Sequence, residues 1–202
     1  MTPGATPVDR VERHKAIDRA YHWVMAVSVL TLLATAFLPI LGIKFEWVGI
    51  HWVTGLILTA IVLFHIIRSS IRNFWAMMID SGDLRAPFAK PGKYSPAQKL
   101  YHLAIAVLIL STIGSGLLMW RKVDTPFWQR NPYWLSTDSW GVVYAIHGLA
   151  AMALVTMIII HVYFALRPDE WYVTRSMLRG WITRKEYADH HDPRRWPAKD
   201  EA

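Results

Sequence analysis

Two histidines, His147 and His161, stand fourteen residues apart in one apolar segment, and His51 and His65 repeat that interval in another. On an α-helix, fourteen residues at about 100° each fall about 40° short of four turns and rise about 21 Å. Both imidazoles of such a pair share one helix face, and a hydrocarbon core about 30 Å thick would place one near each side. Neutral imidazole nitrogen is a ready axial ligand for haem iron. The chemistry open to these residues is therefore the holding of two haems in a membrane, one toward each side. A histidine near a helix end can instead sit among lipid headgroups at little cost, which is the simpler reading of His22 or His102 taken singly. That reading fits His147 and His161 poorly, because ionisable groups inside spans are expensive and usually functional. His14, His190 and His191 lie in polar tails and read as solvated side chains.

The elements that must position these residues follow from hydropathy. The chain has 202 residues, 53% of them hydrophobic, with 22 Lys and Arg against 15 Asp and Glu. Its mean hydropathy is +0.22. Four apolar segments are long enough to span: about Tyr21 to Leu41, Ile50 to Ile67, Leu100 to Trp120 and Gly141 to Leu166. The fold class expected is an all-α integral membrane protein, a four-helix bundle over residues 21–166 with tails at 1–20 and 167–202. Residues 1–20 lack a short apolar stretch and small-residue cleavage site, so the first span is expected to serve as its own uncleaved insertion signal.

Eighteen basic residues fall in the N-terminal tail, the loop between spans two and three and the C-terminal tail, the loop contributing Arg68, Arg72, Arg85, Lys90, Lys93 and Lys99. Four, Lys44, Arg121, Lys122 and Arg130, fall on the opposite side. The positive-inside rule then predicts both termini in the cytoplasm, and the localisation expected is a bacterial inner membrane. Trp47, Trp52, Trp120, Trp128, Trp134 and Trp140 gather at the outer boundary, where amphipathic rings are enriched. The membrane accounts for the basic charge, and nucleic-acid binding is not expected. Absence of cysteine excludes disulfides, thiolate-held iron–sulfur clusters and Cys-x-x-Cys-His haem within this chain. His51 and His65 map onto His147 and His161 with one offset of 96, a short internal match consistent with duplicated hairpins.

Depth sorts the ligands. His51 and His147 fall on the outer side and make the one available outer pair, whereas His161 has three candidate partners on the inner side: His22, His65 and His102. Gly55, Gly148, Gly114 and Gly116 stand near these ligands, where a missing side chain leaves room for a porphyrin or for close helix contact.

Several stretches resemble the cytochrome b (gamma) subunit of membrane-bound respiratory formate dehydrogenases and, more distantly, the cytochrome b subunits of nickel–iron hydrogenases. They are Ile17-Asp18-Arg19-Ala20-Tyr21-His22-Trp23, Gly92-Lys93-Tyr94-Ser95-Pro96-Ala97-Gln98-Lys99, Ile146-His147 with His161-Val162-Tyr163, and His190-His191-Asp192-Pro193-Arg194-Arg195-Trp196. The resemblance implies two haem b groups, one held by His22 and His161 and the other by His51 and His147. His65 with His161 is the rival pairing, as in cytochrome b of quinol:cytochrome c oxidoreductases. It implies a site for menaquinone or ubiquinone at His161, Ser95, Ala97 and Gln98, although Ser95 and Ala97 stand where the family usually has Asn and Gly. Gly92 to Lys99 reads equally as an interfacial loop in which Pro96 begins a helix.

The function implied is that of a membrane anchor passing electrons from a periplasmic iron–sulfur subunit, with a molybdenum or tungsten catalytic subunit behind it, to quinone at the cytoplasmic side. Higher oligomers of that complex are compatible with it. Arg19, Arg68, Lys99 and Arg121 are candidates to neutralise haem propionates or to bind lipid headgroups. A stand-alone dihaem cytochrome, an anchor of a hydrogenase or other oxidoreductase, and a haem-free scaffold or transporter are the rival readings.

Overall fold

The computed structural model describes residues 9–72 and 89–198. Arg85, the side chain of Arg72 and Lys199, all counted in the charge asymmetry, lie outside the described residues. The elements in chain order are β1 (Arg10–Glu12), α1 (Ala16–Phe37), α2 (Trp47–Arg72), α3 (Pro96–Met119), α4 (Thr137–Leu166), α5 (Trp171–Arg179), β2 (Trp181–Thr183) and α6 (Arg184–His190). A 3₁₀ turn, Trp120–Lys122, continues α3. Helices α1 to α4 are each long and apolar enough to cross a membrane.

Local chemistry sets the helix ends. After α1 the chain makes a further turn that closes at Gly42, whose φ is +86°. Ile43 N–H donates to the Leu38 carbonyl and Gly42 N–H to that of Pro39, both at 3.1 Å, the paired bonds of a Schellman motif. The helix α3 begins later in hydropathy than in geometry. Ser95 and Gln98 form a capping box, Gln98 N–H donating to Ser95 Oγ at 3.2 Å and Ser95 N–H to Gln98 Oε1 at 3.0 Å. Pro96 fills the first helical position, where no N–H is needed. For α4 the Ser136 hydroxyl accepts from Ser139 N–H.

The described chain forms two compact units. One comprises Val24–Ile67 and Leu103–Ile159. Within it, Leu58 and Val62 of α2, Ile109 of α3 and Leu154 of α4 are buried together, with Met25, Val29 and Leu32 of α1 against them. All four helices thus pack about one apolar centre. Their outer faces stay apolar as well, with Val27, Leu30, Leu149 and Ile159 more than half exposed. A helix hydrophobic on every side suits lipid rather than water.

The other unit gathers the described residues of 1–23, 68–102 and 160–202. Here β1 pairs antiparallel with β2, Val11 opposite Ile182. Val11, Ile182 and Tyr187 are buried, with Tyr172 and Trp196 beside them. The helix α5 ends at Gly180, whose φ of +96° and closeness to the His14 carbonyl leave no place for a side chain. Its own carbonyl accepts from both Arg13 and His14 N–H groups at 2.8 and 2.9 Å. A second capping box, Thr183 with Glu186, opens α6.

Candidate functional site

In the unit of Val24–Ile67 and Leu103–Ile159, His51 of α2 and His147 of α4 lie edge-to-face with ring centroids 6.3 Å apart. The Nδ1 of His51 lies 2.8 Å from Thr35 Oγ1, and that of His147 lies 3.0 Å from Ser115 Oγ. Both hydroxyls are buried. Thr35 Oγ1 has helix carbonyls of Thr31 and Leu32 at 2.9 and 3.0 Å, and Ser115 Oγ has that of Ser111 at 2.6 Å. A hydroxyl has one hydrogen, and a carbonyl can only accept it. The hydroxyl therefore accepts from Nδ1–H of the histidine. That arrangement fixes the tautomer and leaves the Nε2 lone pair of each ring for a metal.

The separation suits one metal between the two rings. A metal lies about 2.0 Å from an imidazole nitrogen, as in zinc sites, and a five-membered ring with bonds of about 1.33 Å has its centre about 1.1 Å from each atom. Two rings that face one metal from opposite sides then have centroids about 6.2 Å apart. Around the pair lies an apolar cavity of about 620 Å³ lined by Gly55, Gly116, Gly148 and Lys122 among others. No atom comes within 4 Å of where a Cβ of Gly55 or Gly148 would stand. These two glycines open the cavity rather than admit a neighbouring helix. A Cβ on Gly116 would meet His147 Cε1 at 3.2 Å, so this glycine leaves the ring its place.

In the other unit, His22 of α1 and His161 of α4 have centroids 6.1 Å apart. Tyr101 stacks on His161 at 5.7 Å. Nδ1 of His22 is buried without a hydrogen-bond partner among the described residues, an orphan that a ligand would satisfy. His65 is half-buried on α2, and His102 is exposed on α3. Of the four cations proposed for carboxylate binding, Arg68 pairs with Asp18 at 3.0 Å and Arg19 donates to the Leu178 carbonyl. Arg121 lies over the Trp128 and Trp134 rings, and Lys99 is buried.

Ser95 and Gln98 line a polar cavity of about 150 Å³ together with Arg13, Glu170, Tyr172 and His191. Ala97 is exposed. The cap leaves the Ser95 hydroxyl hydrogen and the Gln98 NH2 group for a ligand. The expectation of solvated tail residues is overturned at His14, which is half-buried beside Tyr94, and above all at His191. It is 2% exposed; its Nδ1–H donates to the Gly92 carbonyl at 2.7 Å, and its Nε2 accepts from Arg13 Nη1 at 2.8 Å. Arg13 is equally buried and also donates to the Lys93 carbonyl. Burial and the Arg13 charge hold His191 down to about 4, and burial with Arg13 and Lys93 holds His14 down to about 3. His190 does remain exposed, stacked on Tyr172.

Residues 13–180, a stretch containing both ring pairs, match the profile of the prokaryotic cytochrome b561 family. The chain belongs to that family. It is similar to the formate dehydrogenase cytochrome b556(fdo) subunit of Escherichia coli strain K12, at 26% identity over 92% of each chain. The nitrate-inducible formate dehydrogenase cytochrome b556(Fdn) subunit of that strain is 24% identical, over 91% of this chain and 89% of its own length. The formate dehydrogenase cytochrome b556 subunit of Haemophilus influenzae is 22% identical over 92% and 82%. Membership of a cytochrome b561 family implies haem b, and the four apolar helices make the chain a multi-pass membrane protein. The donor set fits that cofactor: paired neutral imidazoles, their second nitrogens held by hydroxyls in one pair, and a glycine-opened apolar cavity. Thr35, Ser115 and Lys122 are the site residues that sequence reasoning missed. Gly114-Ser115-Gly116 carried a faint signal, a hydroxyl between two small residues inside a span.

Proposed function

We propose that this cytochrome b561-family chain is the dihaem membrane anchor of a respiratory dehydrogenase, most simply formate dehydrogenase, and that it reduces quinone. The observation that carries this reading is the repetition of one ring separation at two places along α4, with centroids 6.3 and 6.1 Å apart. His51 and His147 hold one haem and His22 and His161 the other. Haem iron with two imidazole ligands supplies one-electron transfer.

The protein's part is to keep each imidazole neutral, aimed and dry. Thr35 and Ser115 do this for the first pair by accepting Nδ1–H. Quinone binds beside His161 at the α3 cap, where Ser95 and Gln98 retain donors for its carbonyl oxygens. Two electrons delivered through the chain from the periplasmic donor, with two protons taken from the cytoplasm, would make quinol there. With both termini cytoplasmic in a bacterial inner membrane, the donor is periplasmic, an iron–sulfur subunit fed by a molybdenum or tungsten subunit. Support for that partner set comes from the names of the relatives and from the 18 to 4 distribution of basic residues.

The test is purification of the gently solubilised complex from its native host. A large molybdenum or tungsten subunit that co-purifies, together with formate-dependent appearance of a cytochrome b α band, supports the proposal. A chain that purifies without any such subunit overturns the dehydrogenase assignment, and a co-purifying catalytic subunit through which formate cannot reduce the haem overturns formate as the donor.

A further inference from the structure

Lys122 is the single charged side chain among those lining the cavity of His51 and His147. It ends the 3₁₀ turn after α3, and its Nζ donates to the Tyr144 hydroxyl. The ammonium also lies 4.7 Å from the Trp140 ring centre and 4.9 Å from that of Tyr144. No carboxylate pairs with it among the described residues. Its cationic neighbours are engaged elsewhere, Arg121 with tryptophan rings and Arg130 with Asp124. An ammonium held by aromatic groups at an otherwise apolar cavity, without an anion, has the chemistry of a carboxylate receptor. Haem b is an apolar macrocycle with two carboxylates on one edge, which matches an apolar cavity carrying one cation.

We infer that Lys122, positioned by Tyr144, receives a propionate of the haem held by His51 and His147 and thereby sets that haem's potential. The inference rests on the proposal that these histidines hold haem. A positive charge nearby favours the reduced iron, which carries one positive charge fewer, so Lys122 raises the midpoint. Lys122 is half-buried, and at an effective dielectric of about 20, suited to charges near a protein surface, a unit charge about 12 Å away changes the reduced-to-oxidised ratio by roughly tenfold. For one electron, tenfold is about 59 mV.

The experiment is a potentiometric titration of both haems in the intact complex, comparing the parent with Lys122→Met, Lys122→Arg and Tyr144→Phe. In Lys122→Met one midpoint falls by about 59 mV and the other stays; the one that moves is the one absent from His147→Leu. Lys122→Arg restores the parent value, and Tyr144→Phe shifts it less, in the same direction. Both haems present with unmoved midpoints in Lys122→Met would overturn the inference, as would equal loss of haem in the Met and Arg variants. No haem in the parent complex would instead bring down the reading on which it rests.

Discussion

On the proposed ligation, Gly116→Val weakens retention of the haem assigned to His51 and His147 and spares the one assigned to His22 and His161. A Cβ at this position meets His147 Cε1 at 3.2 Å and Nδ1 at 3.7 Å, and valine adds two methyl groups beyond it. The ring has little freedom to retreat, because its Nδ1 is tied to Ser115 at 3.0 Å. Overpacking of this kind costs about 1–3 kcal/mol, and at 1.4 kcal/mol per decade that weakens haem retention by roughly 5- to 150-fold. Gly116→Ala, with the Cβ contact alone, falls at the low end of that range. Gly114→Ala is the control, since nothing lies within 4 Å of its Cβ position and Gly114 does not line the cavity. The assay is pyridine extraction of haem per chain with the reduced-minus-oxidised spectrum after detergent washing. Gly116→Val that keeps two haems per chain at parent midpoints would refute the reasoning.

His147→Leu and His161→Leu should each remove one haem of different midpoint, and His65→Leu none; loss of a haem from His65→Leu would favour the rival pairing of His65 with His161. Gly180→Ala should destabilise the fold by about 1–2 kcal/mol, because its φ is +96° and the new Cβ would meet the His14 carbonyl at 3.0 Å, an effect read from thermal unfolding of the solubilised chain. Stability should also depend on acidity. His191 stays neutral when folded down to about pH 4 but charges near pH 6.5 when unfolded. The unfolded state thus binds more protons between these values, and stability present above about pH 6.5 falls by about 3 kcal/mol on approach to pH 4. His14 extends the decline to about pH 3. His191→Gln should flatten the upper part of that slope.

The spans, and the shared face of His147 and His161 on α4, were legible in the chain because both obey local periodicities, whereas periodicity left His22, His65 and His102 all open as partners of His161. A hydrophobic segment of membrane length declares itself, and the fourteen-residue interval puts His147 with His161 on one helix face. The helix start at Pro96 was legible too, whereas the capping box of Ser95 with Gln98 around it went unread. By contrast, Thr35 and Ser115 carry no distinguishing mark, since hydroxyls bonding back to their own helix are common in apolar spans. The tails read as solvated for a similar reason. The pairing of Val11 with Ile182 and the bond from Arg13 to His191 join positions more than 170 residues apart, and neither strand is longer than three residues. Such pairing leaves no pattern in either tail alone. Lys122 looked like one more boundary cation until the fold turned it toward the cavity.

The most direct test of the central claim is the ratio of extracted haem b to chain in the gently solubilised parent complex. Two haems per chain are expected. A ratio of one or none, in a complex with all four of His22, His51, His147 and His161 intact, would contradict it.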